Sequence, residues 1–459
     1  MSLPKIILPR KPNIIRLNES VNFFDLFKKI EKQFKTCFIL ESMDLDGNDS
    51  RYSILGFDPE KNISCDSDHL IINNEYFKVD NPYYSLREVI PTDILSMNYA
   101  GGLVGYLSYE AMNFFEPRLN LNTHSHFPLF EFGLYLDGII YDKMTGEIFY
   151  FYYNTNRIQI IQDLINYTNI SDSSYNTKIE FVKYSISKED HSRKVFEALD
   201  EVRAGNTFQC QIGLKAEYKI QGDTFPIYTQ LREVNPSPHM FYIKFNNKKI
   251  IGASPELLFR LRNGEMETFP LAGSIRRGLN TTEDVLLART LLNDEKEIAE
   301  HNMLVDLHRN DLGRVAKFGT VKVRKLMDIK KYSHIQHISS EVIGIIHHKE
   351  DMFSGLAHSF PAGTLTGAPK FESMKIIHKL EDKNPRGPYG GGVGHFGLNG
   401  NCTFAIPIRS IFISDSYLYT QASSGIVYDS ISENEYQEIK NKLGASEKVL
   451  NYFLSKKVL

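Results

Sequence analysis

The 459-residue chain has no tryptophan and only four cysteines. Cys37, Cys65, Cys210 and Cys402 are scattered, with no Cys-x-x-Cys pair. That spacing excludes a zinc ribbon or a dithiol redox motif and fits a reduced, cytoplasmic protein. None of the four lies in a tight glycine-rich turn, which argues against a cysteine hydrolase. No apolar run approaches the roughly 20 residues of a membrane span. The opening, Met1 to Arg10, holds Ile6-Ile7-Leu8 but is broken by Pro4 and Pro9, too short a stretch for a signal peptide. Neither sign of charge dominates: 53 basic against 56 acidic residues leave a net charge of −3. No basic stripe marks a nucleic-acid partner.

What is present is ordinary for a globular protein, with 42% hydrophobic and 24% charged residues. The length exceeds that of one hydrophobic core, so two or three modules are expected. Residues 1–165 are rich in short β-type runs, at Cys37–Glu41, Tyr52–Phe57, Leu103–Leu107 and Phe130–Tyr141. Turn signals such as Asp46-Gly47 and Asp58-Pro59 separate them. The polar stretch Asn166–Lys178 reads as a linker, placed at 166–186. Residues 187–459 form the second region. Helices fit His191–Ala204, Asp284–Leu292, Asp294–Asp306 and the stretch after Pro369. Strands fit Thr207–Tyr218, Met240–Phe245, Lys249–Ala253, His334–Ile346 and several runs within Gly391–Ile413. Helices and strands mix without a strict βαβ rhythm, which favours a layered α+β fold over a doubly wound sheet.

Two carboxylate pairs carry most of the chemical information. Glu297-x-x-Glu300 and Glu435-x-x-Glu438 each open an apparent helix. Three-residue spacing puts both acids of a pair on one helix face. Two such faces turned together would form a nest of four acids that cannot stay ionised without a cation. Hard oxygen ligands completed by an anionic substrate suit Mg2+. Asp294-x-x-Glu297 and Ser432-x-x-Glu435 also read as capping boxes, the commoner explanation for either pair alone.

Other segments are less specific. Gly392-Val393-Gly394-His395-Phe396-Gly397 matches G-x-G-x-x-G, but the hairpin signal Leu398-Asn399-Gly400-Asn401 follows where a dinucleotide site needs a helix. Those glycines read instead as places of close backbone approach. Pro361–Lys370 is a Gly-Thr loop feeding a helix, with Pro369 as its first residue. Such a loop is either an anion seat or an ordinary strand-to-helix connection. His334 and His337 sit three apart in a β-like run, hence on opposite faces. That placement argues against a shared metal, while a proton donor in a cleft and a satisfied core or surface histidine both remain open. Arg409 follows the apolar run Phe404–Ile408. Its partner there is an anion, either a structural carboxylate or that of a substrate.

Taken in order, these segments resemble the chorismate-utilising enzymes, and among them the anthranilate synthase large subunits. The resemblance spans nearly the whole chain. It is strongest from Ser254-Pro255-Glu256 to Glu438 and Lys442, above all in Glu297–Gly313 and Pro361–Lys370. It implies a sandwich-like β-sheet core with helices outside. In that family the two acidic pairs hold Mg2+. By position Glu300 and Glu438 are the direct ligands, Glu297 and Glu435 act through water, and the ring carboxylate of chorismate completes the site. His337 matches the general acid for the ring hydroxyl, and Thr364 the hydroxyl beside that leaving group. Glu256 and Gln209 also fall among the catalytic positions. Arg409 and Tyr389 match the clamp on the enolpyruvyl carboxylate. Gly273-Ser274 and Ser423-Ser424-Gly425 match substrate contacts, as does Lys442. Leu40-Glu41-Ser42 and Asn235-Pro236-Ser237-Pro238-His239-Met240 resemble the two halves of the family's feedback motif, which implies tryptophan as inhibitor.

The implied reaction joins ammonia to chorismate and releases pyruvate, giving anthranilate, the first committed step of tryptophan biosynthesis. The chain carries no glutamine amidotransferase module, so a separate small subunit in a hetero-oligomer is expected to supply the ammonia. Two positions separate relatives. Pro270-Leu271-Ala272-Gly273-Ser274 lacks the lysine nucleophile of aminodeoxychorismate synthases. Gln209 stands where water-using relatives place a lysine base. An aminodeoxychorismate synthase-like enzyme and a non-catalytic tryptophan-binding paralogue are the alternatives. Thr403-Phe404, Pro407, Ser274, Ser423-Ser424 and His239 depart from the family's usual residues. Pro407 is expected inside the strand that ends at Arg409, where it removes a backbone donor.

Overall fold

The computed structural model describes residues 3–17, 21–43, 51–167, 176–331 and 335–454. Asp46-Gly47, His334 and the centre of the expected linker lie outside the described residues. The described strands form two 12-stranded antiparallel sheets. The first runs from Asn13–Arg16 through Thr36–Glu41, His239–Phe245 and Lys248–Ser254 to Tyr417–Ile426, Gln209–Gln221 and Lys178–Tyr184. The second runs from Leu271–Arg276 through Leu257–Arg262, Cys402–Ala405 and Gly392–Gly397 to Gly102–Leu107, Phe130–Tyr135 and Glu75–Lys78. This is the α+β architecture expected from the sequence.

The division at 166–186 does not divide the packing. Both sheets take strands from both sides of it. One core packs Phe38, Leu103 and Phe132 with Phe241, Phe396 and Phe404; the other packs Phe27 and Ile139 with Tyr242, Ile251 and Ile411. The end of the expected linker is itself a strand, Lys178–Tyr184, paired along Gln209–Gln221. Backbone pairing between distant segments has fused the two regions.

The chain changes sheet at points that matter below. Lys248–Ser254 belongs to the first sheet and Leu257–Arg262 to the second, so Pro255 and Glu256 form a crossover. Cys402–Ala405 and Ser410–Ser414 make the reverse crossing through 406–409. Pro407 therefore lies in this crossover and not in a strand, where its missing N–H breaks no ladder. Arg409 sits there with φ +51°, a left-handed value rare outside glycine. The two crossovers are joined by Ile406 N–H donating to Glu256 O at 3.1 Å.

Local signals explain most helices. Ser187 caps Lys188–Arg203 by accepting from Asp190 N, and Asp294 caps Glu295–Gly313 by accepting from Lys296 and Glu297 N. Along Glu295–Gly313 the residues His301, Leu304, Val305, His308, Asp311 and Leu312 are buried, an i, i+3, i+4 stripe. Three expectations fail in detail. Ile431, not Ser432, is the N-cap of Ser432–Asn451, and the Ser432 hydroxyl instead meets Ser192 Oγ at 3.0 Å. Pro369 caps Lys370–Leu380 from outside rather than opening it. Phe130–Tyr141 is two strands, Phe130–Tyr135 and Asp137–Asp142.

The Gly392–Gly397 strand turns directly into Cys402–Ala405 with no helix between. A Cβ at Gly394 would lie 2.0 Å from Thr403 O. Gly394→Ala is thus expected to destabilise the protein by about 2–4 kcal/mol. An unchanged midpoint in a denaturant melt would contradict this.

Candidate active site

One cavity of about 260 Å³ gathers residues from both crossovers, both acid-bearing helices and the floor of the first sheet. Glu297 and Glu300 enter from Glu295–Gly313, and Glu435 and Glu438 from Ser432–Asn451. The acid-bearing faces thus meet in one chamber. Gln209 Nε2 donates to Glu300 Oε1 at 2.9 Å. Lys442, one turn beyond Glu438, pairs with it at 2.7 Å and also donates to Ser423 O at 2.9 Å.

Glu297, Glu300 and Glu435 are disfavoured as anions. Burial raises Glu297, with Glu300 and Asp294 adding to it. Burial also raises Glu300, against the Gln209 amide, and the Glu438 charge raises it further. Glu435 is raised by burial too, partly offset by the Ser430 hydroxyl, and its Oε2 is buried without a hydrogen-bond partner. The donor set is hard oxygen, the chemistry that suits Mg2+. Among the described residues no three of these carboxylates bring oxygens within 4.8 Å of one another. The one group of that kind is Asp66, Asp68 and His69, on the turn into the His69–Ile72 strand, where Asp66 accepts from the backbone of the other two.

Two protonatable groups face the acids. His337 Nδ1 lies 3.1 Å from Gly273 O. A carbonyl only accepts, so Nδ1 carries a proton and Nε2 is the nitrogen that titrates. Burial, then the Arg409 and Lys442 charges, pull this imidazole down to about 4. Glu256 is wholly buried in its crossover, and burial pushes its carboxyl up to about 8. Thr364 Oγ1 donates to Glu256 Oε1 at 3.0 Å.

The remaining predicted residues mostly line the same chamber. Tyr389 OH meets Ser423 Oγ at 2.8 Å, and Arg409, Ser274 and Gly425 are on the wall. Gly273 adopts φ +71°, and a Cβ there would lie 2.9 Å from Glu297 Oε2. Ser424 differs. Strand alternation turns it away from Ser423 and Gly425; it is fully buried and does not line the cavity. The expected capping role of Glu297 is half realised, since Asp294 accepts from its N–H while the Asp294 N–H bonds to Leu291 O.

Sequence reading missed Gln211, Gln421 and Lys296, which also line the chamber. The alternations Gln209-x-Gln211 and Gln421-x-Ser423 would have placed the glutamines on the faces already in use. It also missed Arg386, which is wholly buried behind the wall. Its guanidinium pairs with Glu381 at 2.6 and 2.9 Å and donates to Leu365 O at 2.7 Å and Gln211 O at 3.0 Å. Its backbone N–H donates to Glu110 Oε1 at 2.6 Å.

The sequence profile of the chorismate binding enzymes matches residues 36–447. The chain belongs to that family. Among relatives, anthranilate synthase component 1 of Leptospira biflexa is 55% identical over 455 residues, covering 98% of each chain. That of Methanothermobacter thermautotrophicus is 41% identical over 433 residues, covering 93% of this chain and 92% of the relative. The crystal structure of anthranilate synthase component I from Streptococcus pneumoniae superposes with a TM-score of 0.77 at 31% identity, covering 88% of this chain and 94% of that one. The menaquinone-specific isochorismate synthase of Escherichia coli, at 17% identity and a TM-score of 0.74, shares the fold.

This chorismate-binding enzyme has a second, larger cavity of about 510 Å³. Glu41, Ser42, Pro238, His239 and Met240 all line it, so the two segments that resemble halves of the family's feedback motif meet. Adjacent pairing makes the junction, with Met240 opposite Glu41. Glu41 accepts from Arg232 Nε and Tyr228 OH, both at 2.7 Å.

The raised Glu256 pKa has a consequence for folding. The folded state holds this proton up to about 8, whereas the unfolded chain releases it near 4.5. The stability it contributes is therefore full below the unfolded value and is lost as pH rises through about 8. Thermal melts across this window should show a smaller fall for Glu256→Gln than for the parent. Parallel curves would refute the assignment.

Proposed function

We propose that the chain is an anthranilate synthase component 1, converting chorismate and ammonia to anthranilate and pyruvate in tryptophan biosynthesis. The observation that carries this is the convergence of both acid pairs, His337 and the Thr364–Glu256 pair in one chamber whose floor holds Gln209 in place of a lysine base. Chorismate is a dianion, and the chamber offers it the Arg409 and Lys442 cations beside the acids. Arg409 and Tyr389 receive the enolpyruvyl carboxylate, and Lys442 is a further substrate contact. Glu300 and Glu438 would hold Mg2+, with Glu297 and Glu435 behind them; when bound, it would neutralise the acids and grip the ring carboxylate.

The chain's own residues manage the protons. Ammonia adds at C2 while the C4 hydroxyl departs, and that hydroxide needs a proton. His337 is neutral in the free chamber because Arg409 and Lys442 add to the effect of burial. A bound dianion offsets those charges and moves the imidazole toward the protonated form, with Nε2 as donor. A second reading is favoured by Glu256, which keeps its proton through neutrality and touches Thr364. Pyruvate elimination then restores aromaticity.

The larger cavity is proposed to bind tryptophan as a feedback inhibitor, and a glutamine amidotransferase partner to deliver ammonia. The four cysteines are all buried and free, which supports a cytoplasmic setting.

Purified chain with chorismate, ammonium and Mg2+ should give anthranilate fluorescence, and chelation should abolish it. His337→Ala should lower kcat by about 10²–10⁴-fold, the worth of a general acid. A larger loss in Glu256→Gln than in His337→Ala would move the donor to Glu256, and full activity in both would discard the mechanism. Ser42→Phe, which narrows the second cavity, should abolish inhibition by tryptophan and leave uninhibited turnover intact. Unchanged inhibition would place the inhibitor elsewhere.

A further inference from the structure

The floor of the active chamber is a row of three side-chain amides. Gln209 and Gln211 share one face of the Gln209–Gln221 strand, and Gln421 stands on the adjacent Tyr417–Ile426 strand in line with Ser423 and Gly425. Two glycines make room for them. A Cβ at Gly425 would lie 2.3 Å from Gln209 Nε2 and 2.9 Å from Gln211 Nε2, and one at Gly213 would lie 2.8 Å from Gln421 Nε2. The three glutamines are 1%, 6% and 5% exposed. Because Gln209 gives its N–H to the Glu300 carboxylate, its orientation is fixed and Oε1 is left as an acceptor. The Oε1 atoms of Gln209 and Gln421 are both buried without a hydrogen-bond partner. A buried acceptor without a donor is costly, so such a pair marks a place for a ligand that donates. The carboxylates of chorismate only accept, and its ring hydroxyl is the leaving group assigned to His337 and Thr364, so neither serves.

We propose that this amide row seats the ammonia nucleophile, with Gln211 and Gln421 as nucleophile-binding residues beside Gln209. The proposal rests on the anthranilate synthase reading above. Carbonyl oxygens receive two N–H groups of ammonia and leave its lone pair for the ring. The lone pair forms the C2–N bond, both ring double bonds shift by one position, and the C4–O bond breaks. The departing hydroxide takes the acid's proton and leaves as water, while the nitrogen remains as ammonium. No proton leaves the nucleophile during attack. A floor of neutral amides, which cannot accept one, therefore serves ammonia and fails water.

Steady-state kinetics with ammonium chloride varied at saturating chorismate test this. Gln421→Leu and Gln211→Leu should each raise the ammonium KM by about tenfold, the worth of one lost hydrogen bond. The chorismate KM should stay within about twofold, a split that mere structural damage would not give. Gln421→Glu keeps an acceptor and should hold the ammonium KM near that of the parent, with an unchanged melting temperature as the check on folding. An unchanged ammonium KM in both leucine variants, or a parallel rise in both KM values, would overturn the proposal. Failure of the parent chain to make anthranilate from chorismate and ammonium would instead remove the reaction on which it rests.

Discussion

A single buried cation organises the chamber. Arg386 is 1% exposed, and its guanidinium is shared among a carboxylate and two backbone carbonyls. A buried charge is tolerated only when paired and fully hydrogen-bonded, and both conditions are met here. Leu365 O ties it to the loop that carries Thr364, and Gln211 O ties it to the amide floor. Glu381, its counter-ion, also accepts from Gly213 N at 2.8 Å. Glu110, from the first third of the chain, reaches the Arg386 backbone. Loop, floor and N-terminal segment are held in register by one ion pair whose loss would leave a carboxylate stranded in the interior. A second buried pair, Lys370 with Asp311 at 2.7 Å, fixes the far end of the same loop to the helix that carries Glu297 and Glu300.

The chemistry sits where regular structure stops. Glu256 and Arg409 lie on the two passages between sheets, and Thr364 lies in a short 3₁₀ turn before the Lys370–Leu380 helix. Strands and helices supply rigid mounts, and the irregular backbone aims the side chains. The exceptions are the two acid pairs, which sit within helices, and Gln209, Ser423 and His337, which sit within strands where alternation sets their direction.

Much of this was legible from local pattern. Tyr52–Phe57 is a strand with the bounds read from sequence, the acid pairs do open two helices, and the Gly392–Gly397 segment does continue into a hairpin. Those signals are short-range, set by periodicity and turn chemistry. The fusion of the two regions was not legible, because the pairing of Thr36–Glu41 with His239–Phe245 depends on segments some two hundred residues apart. The place of Pro407 was not legible for the same reason: the single strand expected there is two strands in different sheets. Ser432 carried a capping-box signature, yet its hydroxyl was claimed by Ser192 on another helix. Arg386 had no local signature at all, since its partners come from four separate stretches of chain.

The passages between sheets have one more consequence. His239 faces the larger cavity and pairs across its strand with Ser254, two residues before Glu256. Ala405 faces that same cavity, and four residues later Arg409 faces the smaller one. The two chambers thus border successive stretches of the same crossing backbone. A bulkier residue at His239 or Ala405 therefore presses on the backbone that leads into Glu256 and Arg409.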